Sequence, residues 1–368
     1  MLGPNSEATR EIKEFNENEN RNWKPDLSTL IATPWCDSGS RRTASVLCDL
    51  LKRDGTPDGL STRGIVQQLL GKLRDKFGLT LKVAFEFEFI VLKELNFDPM
   101  DDIKAADMAF HVKNAVKIFF KRRGYTATFM SVPDGKEWTS GLHLNHSLWT
   151  AAGQNAMVDD QRKDAISDLA LRWNAGILKH ARALTALCCP TINCYRRLHK
   201  LFCPSDNTWA VERRTGMTRF KVGNNDVYLE NRLPSAAANP YLVVASHLAA
   251  GMAGLEAAEI ELPPEMDTAN AQKLPTSLGE ALDFLEQDEV MMEALGRRFL
   301  SCFLIAKRDL ELHQYSLVSP ATEEEKIKHE REKYLLSLAT GTGEGGQTLA
   351  TVYHHECDTA GPGRTGIS

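Results

Sequence analysis

The chemistry-bearing residues of this chain begin with Glu86 and Glu88, in the stretch Val83-Ala84-Phe85-Glu86-Phe87-Glu88-Phe89-Ile90. Residues i and i+2 of a strand share a face, so both carboxylates point one way while Val83, Phe85, Phe87 and Phe89 pack the other. Neighbouring anions on an otherwise apolar strand repel and cost desolvation energy unless a cation neutralises them, and a divalent metal is the usual cation. The alternative is an amphipathic edge strand with a solvated acidic face. Two further segments repeat the pattern. In residues 140–149, Leu142, Leu144 and Leu148 oppose His143, Asn145 and Ser147; in residues 227–233, Val227, Leu229 and Leu233 oppose Tyr228, Glu230 and Arg232.

Three strands thus offer metal-competent residues on polar faces: Glu86 with Glu88, His143, and Glu230. Carboxylate oxygens suit magnesium, an imidazole among them extends tolerance to manganese, and both ions accompany ATP phosphates. Phosphoryl chemistry also needs fixed cations, for which the candidates are Arg197, Arg214, Arg219 and Arg232. Taken singly, a buried histidine is more often a satisfied core residue and an arginine more often a surface ion-pair residue. Arg232 stands apart because it follows Glu230 by two on the same strand face.

The elements that must position these groups are legible in the surrounding pattern. The apolar run 44–51 reads as a strand ending in the turn-forming residues 54–59. A helix follows, capped by Ser61 or Thr62, with Ile65, Leu69, Leu73 and Phe77 as one stripe and Gly78 as its stop. Residues 103–123 carry helical periodicity up to Gly124, and further helices are expected at 160–187, 240–258, 278–287, 290–312 and 323–338. Residues 1–25, charged and rich in Asn and Glu, suit a disordered extension, the folded domain is expected over 26–338, and 339–368 read as a flexible tail. The glycines at 341–346 lack the preceding strand and the Lys-Ser/Thr helix start of a phosphate loop.

Composition narrows the function classes. With 368 residues and a formal net charge of -5, the chain has the apolar content for a sizeable core and no basic footprint for nucleic acid. No apolar run reaches the ~20 residues of a membrane span, and the polar start lacks the apolar core of a signal peptide, so a cytoplasmic protein is expected. The eight cysteines show neither zinc spacing nor a C-x-x-C pair and read as reduced thiols.

Taken together, these motifs resemble glutamine synthetase. Residues 84–89 match the family's G-x-E-x-E-F strand, and 140–149 look like its S-G-x-H-x-H-x-S-L segment. Asn193-Cys194-Tyr195-Arg196-Arg197-Leu198 is close to the family's Asn-Ser/Ala-Tyr-Lys/Arg-Arg-Leu/Phe stretch. Residues 209–219 resemble W-G-x-D/E-N-R-T-x-x-x-R, and 229–242 resemble E-x-R-x-P followed by A-N-P-Y-L. The order and approximate spacing agree from about residue 26 to residue 337.

The resemblance implies an α+β fold of glutamine synthetase catalytic-domain type, a curved antiparallel sheet flanked by long helices. It implies that Glu86, His143 and Glu230 hold the Mg2+ or Mn2+ that grips the phosphates of ATP or ADP, and that Glu88 is one ligand of a second metal. Arg197 and Arg232 match the glutamate-side and phosphate-side arginines, and Arg214 and Arg219 those near the nucleotide phosphates. In that family ATP phosphorylates the γ-carboxylate of glutamate, an amine displaces phosphate, and two metals clamp the transferred group. The subunits form rings, so a homo-oligomer with glutamate and ATP as partners is the corresponding expectation.

The departures are as informative. Only residues 89–106 separate Glu88 from Asp107, where the family carries a long segment with two more metal-binding glutamates; Glu94, Asp98, Asp101 and Asp102 have the wrong spacing. Trp138-Thr139 replace an Asn-Gly pair, Asn145 replaces a second histidine, and 202–206 offer no acid aligned to close over the site. Most of the small N-terminal β-domain is missing by the same comparison. The pattern looks most like the lengsin branch, regarded as non-enzymatic, which implies a catalytically impaired pseudoenzyme with a structural or chaperone-like role and a cytoskeletal or intermediate-filament partner. The alternative is an active ATP-dependent ligase that joins glutamate to ammonium or an amine.

Overall fold

The computed structural model describes residues 21–335, apart from 89–94, 97, 136–138, 199, 201–202, 225, 260–261 and 319–321. Residues 1–20, the expected tail, Glu94, Trp138 and Phe202 therefore lie outside the described residues. Strand β1 (Asn22–Ala32) already begins upstream of Pro25 and pairs antiparallel with β2 (Ala44–Leu51) in a two-stranded sheet of its own.

Helix α1 (Thr62–Phe77) starts where Ser61 accepts a hydrogen bond from the Gly64 amide and stops at Gly78, whose φ of 66° is left-handed and suits a residue without a Cβ. Strand β3 (Leu79–Phe87) follows directly, with short β4 (Leu95–Asn96) and β5 (Met100–Asp101) both paired to it. Next come α2 (Lys104–Lys121), β6 (Leu142–Thr150), α3 (Asp168–Lys179), α4 (Ala181–Cys188), β7 (Trp209–Val211), β8 (Thr218–Gly223) and β9 (Asp226–Asn231). The main sheet runs β4-β3-β6-β9-β8-β7, antiparallel except for the β7–β8 pair. The long α5 (Pro240–Glu256) is followed by α6 (Leu278–Gln287), α7 (Glu289–Leu295), α8 (Arg297–Lys307), α9 (Gln314–Val318) and α10 (Glu323–Leu335).

Two expected helices are divided by local chemistry. The one expected over 160–187 starts only at Asp168, because 159–167 form turns, Ala165 takes a positive φ of 55°, and Ser167 supplies the cap. The one expected over 290–312 breaks at Gly296 with φ 93°, and its end widens into a π turn at Arg308–His313.

One face of the main sheet is apolar and carries the core. Val83, Phe85, Phe87, Leu142, Leu144, Leu148, Phe220 and Leu229 are all at most 2% exposed, and helices α3 and α5 belong to the same core cluster. Those two helices cross with almost no separation: a Cβ on Gly176 would lie 2.1 Å from the Ala250 carbonyl oxygen, and one on Gly254 2.1 Å from that of Arg172. Glycine is required at both positions by this approach. The separate β1–β2 sheet is tied to the body by Arg63, which binds Asp26 at 2.7 Å, Asp49 at 2.6 Å and Asp107 at 3.0 Å. The Tyr241 hydroxyl donates to the same Asp107 at 2.7 Å.

Between sheet and helices, His146 accepts a hydrogen bond from the Trp173 indole at 2.8 Å and faces His247. Burial pushes His146 down to about 3 and His247 down to about 4, so both stay neutral in the folded protein. An unfolded histidine takes a proton near pH ~6.5, so above that value the pair contributes nothing to pH dependence, and below it the unfolded chain binds protons the folded one refuses. Stability therefore falls as pH drops below 6.5, by about 1.4 kcal/mol per unit for each histidine once the unfolded chain is protonated. His143, shifted upward, works in the opposite direction. Urea unfolding of wild type and His247→Met at pH 7, 6 and 5 should show the variant losing less stability across that window; equal losses would contradict the assignment.

Candidate metal centre

Sheet register assembles the site. Glu86 lies directly opposite His143 in the β3–β6 pair. Glu230 lies opposite Asn145 in the β6–β9 pair and opposite Arg219 in the β8–β9 pair. Because side chains alternate at period two, Glu86, His143, Asn145, Glu230 and Arg219 all emerge on the face away from the helices, with Glu230 diagonal to His143.

The resulting group is compact. Ligand atoms of Glu86, His143 and Glu230 all lie within 4.8 Å of one another. His143 Nδ1 is 3.3 Å from Glu230 Oε1 and 3.6 Å from Glu86 Oε2, and this buried nitrogen makes no hydrogen bond. Among the described residues it is the one cluster of three or more His, Cys, Asp or Glu side chains suited to a metal. Two carboxylates and a buried, unsatisfied imidazole nitrogen fit a hard or borderline divalent cation.

Charge is balanced around that group. Arg232 Nη1 donates to Glu230 Oε1 at 2.8 Å and Arg219 Nη1 to Glu230 Oε2 at 2.9 Å. Burial alone would raise the Glu230 carboxyl, but His143, Arg232 and Arg219 outweigh it and hold it at about 2. His143 beside Glu86 likewise keeps that carboxyl below its ordinary value. The imidazole itself is pushed down by burial and up, more strongly, by Glu230 and Glu86. A bound cation would displace that proton as the positive charge the carboxylates share.

Glu88 is placed differently. It stands just past the end of β3, accepts a hydrogen bond from the Gly141 amide at 2.7 Å, and lies 4.0 Å from His143 Nε2. Asp101 pairs in register with Lys82 toward the opposite end of β3, Asp102 bonds back to Leu81, and Asp98 is exposed, so none of the three joins Glu88. Arg197, 1% exposed, donates to the carbonyls of Leu233 at 3.1 Å and Arg232 at 3.0 Å and approaches His143 Nε2 at 3.5 Å. Arg214 is exposed on the turn between β7 and β8, apart from this group.

Three contributors were not assigned from sequence. Gly141 is one: a Cβ there would meet Glu88 Oε2 at 2.7 Å, Arg197 Nη2 at 2.8 Å and His143 Nε2 at 3.0 Å. Its place two residues before His143 on a ligand-bearing strand was the available signal. Asn193 and Arg196, beside Arg197 in the same stretch, are the others; they bind the carboxylate of Glu330.

A sheet carrying two carboxylates, an imidazole and flanking guanidiniums on one face, with helices on the other, makes an α+β scaffold built around a metal-competent group. The family described as "Glutamine synthetase, catalytic domain" matches residues 92–327, and the chain belongs to the glutamine synthetase family. The family is generally dependent on ATP and a divalent metal, with glutamate and ATP as its substrates. The chain is 28% identical to the glutamine synthetase of Methanococcus voltae, over 77% of its own length and 78% of that protein. It is also 28% identical to lengsin of Rattus norvegicus, over 77% of its length, and spans 60% of that relative. The solved structure "GmaS/ADP complex" superposes with a TM-score of 0.73 at 26% identity, covering 87% of this chain and 91% of that one. The fold expected from the sequence is the fold observed. Among the described residues no helix is long and apolar enough to cross a membrane.

Since the atoms that a Cβ on Gly141 would meet are the ends of flexible side chains, Gly141→Ala should leave the fold intact and disturb the site. Manganese affinity measured by calorimetry is expected to fall on the order of tenfold, as for losses just outside a ligand set. Unchanged affinity would show that Gly141 does not shape the site.

Proposed function

We propose that this protein is a catalytically impaired member of the glutamine synthetase family that keeps one nucleotide–metal site and serves a structural or chaperone-like role. The observation that carries this reading is the split between Glu86 and Glu88. Glu86 has its partners in His143 and Glu230, whereas Glu88 is engaged with a backbone amide and has no second carboxylate among the described residues.

Magnesium or manganese would be held by Glu86, His143 and Glu230, and when bound it would neutralise and bridge nucleotide phosphates. The protein's own residues supply the rest. Arg219 and Arg232 fix both oxygens of Glu230 and so orient it toward His143. Arg219 and the exposed Arg214 are the nucleotide-side cations of the reading, with Arg197 on the glutamate side and Arg232 on the phosphate side. Clamping a transferred phosphoryl group from both sides needs a second cation, and Glu88 alone would hold that cation weakly.

The solved structure with ADP supports nucleotide as the ligand. A cytoplasmic homo-oligomer with ring symmetry, and a cytoskeletal or intermediate-filament partner of the lengsin kind, belong to the same proposal. The second reading, an active ligase forming a γ-glutamyl amide from glutamate and ammonium or an amine, is favoured by the equal 28% identity to a glutamine synthetase.

Two measurements separate the readings. Purified protein should form no γ-glutamyl hydroxamate from glutamate, ATP, magnesium and hydroxylamine; turnover above background that vanishes in Glu230→Ala would favour the ligase. Calorimetry should detect weak magnesium–ADP binding that is lost in a Glu86→Ala, His143→Ala double variant, and identical binding in that variant would refute the nucleotide site.

A further inference from the structure

The turn that presents Arg197 is short and irregular. It comprises a 3-10 helix at Ile192–Arg196 with no side-chain cap, and Arg197 follows directly. The guanidinium itself donates to the Leu233 and Arg232 carbonyls, so what remains to be fixed is the backbone of the turn that carries it. Three carboxylates from the C-terminal part of the chain tie that turn down.

Glu330, on α10, is 0% exposed. Its carboxylate accepts from Arg196 Nε at 2.8 and 3.0 Å, from Arg196 Nη2 at 2.8 Å and from Asn193 Nδ2 at 2.8 Å. A charge-assisted fork of this kind fixes direction as well as distance. Asn193 also exchanges hydrogen bonds with both the amide and the carbonyl of Val132 at 2.9 Å, and neighbouring Ser131 accepts from the Ser140 amide at 2.9 Å. One buried carboxylate thus holds the turn of Arg197 and the segment leading to Gly141. Glu323, also on α10, takes the remaining Arg196 nitrogen at 2.9 Å. Glu311, in the π turn, accepts from the Ile192 amide at 3.4 Å and from the Tyr334 hydroxyl of α10.

None of these groups touches Glu86, His143 or Glu230, yet the Arg196 they hold is the chain neighbour of Arg197, whose guanidinium lies 3.5 Å from His143. We infer that Glu330 is a positioning residue: through Arg196 and Asn193, helix α10 sets the guanidinium of Arg197 beside the metal centre. The placement rests on the observed contacts; the use of Arg197 as the glutamate-side cation rests on the reading proposed above.

Arginine-specific labelling of the full chain with phenylglyoxal, read residue by residue by mass spectrometry, tests the placement without requiring activity. Exposed Arg214 should label in every sample, while Arg197, Arg219 and Arg232, at 1%, 7% and 6% exposed, should be protected in wild type. In Glu330→Ala, labelling of Arg197 should rise tenfold or more with Arg219 and Arg232 still protected. In Glu330→Gln, which keeps the length and an acceptor oxygen, most of the protection should return. Should Glu330→Ala not fold, Arg196→Met removes the same anchor from the other side and carries the same expectation. Arg197 remaining protected, or all three buried arginines opening together, would overturn the inference.

Manganese–ADP binding by the same proteins isolates the other question. Affinity should change less than twofold in Glu330→Ala, because the three ligands are untouched, and an Arg197-selective loss of protection beside a tenfold weaker manganese–ADP affinity would overturn the separation of anchor from metal site. Absence of manganese–ADP binding in wild type would refute the nucleotide reading while the labelling still decides the role of Glu330.

Discussion

The site depends on how the buried carboxylate of Glu230 is neutralised. At 4% exposure, a lone carboxylate would face a desolvation penalty of several kcal/mol and would keep its proton instead. It stays ionised because Arg219 and Arg232 each take one oxygen and His143 sits 3.3 Å away. Removing Glu230 would take from two buried guanidiniums the carboxylate they share, whereas losing one arginine leaves the other to balance the acid. The same contacts fix the orientation of Glu230, whose Oε1 meets both Arg232 and His143 while Oε2 meets Arg219.

That electrostatic arrangement is possible because the opposite face of the sheet is largely apolar, its buried His146 and Thr218 being hydrogen-bonded to helix α3. Alternation along β3, β6 and β9 sends Phe85, Leu144 and Leu229 into the helices whenever Glu86, His143 and Glu230 go the other way. A slip of one residue would bury three ionisable groups against α3 and α5. Those helices have no room to adapt, because their crossing at Gly176 and Gly254 brings backbone against backbone. Core packing therefore sets the register, and the register sets the site.

The pattern of alternation made much of this legible. Strand β2, helix α1 with its Ser61 cap, and the faces of β3, β6 and β9 follow from local periodicity and turn chemistry, which act over a few residues. Glu86, His143 and Glu230 could be grouped because each interrupts an apolar strand with a group that needs a partner. Contacts between distant segments left no such trace. Arg63 gathers Asp26, Asp49, Asp107 and, through Asp107, Tyr241, but each of these reads in isolation as an ordinary polar residue. Glu330 is hidden more thoroughly, within the run Glu323-Glu324-Glu325-Lys326-Ile327-Lys328-His329-Glu330-Arg331-Glu332, where nothing distinguishes a buried acid from solvated ones. The break at Gly296 was overlooked because apolar spacing continues on both sides of it while the backbone there needs a positive φ.

Glu86 and Glu88 share a strand face in sequence but not an environment. Glu86 is wired into the neutralising group through His143, so its loss would disturb charges that the fold itself must balance. Glu88 accepts from the Gly141 amide and lies 4.0 Å from His143 Nε2, so it meets the neutralising group only at its edge. Selection for stability alone would therefore tend to preserve the first half of the site and leave the second free to erode. The metal-competent centre does not depend on Glu88, because Glu86, His143 and Glu230 also balance charge on a buried sheet face.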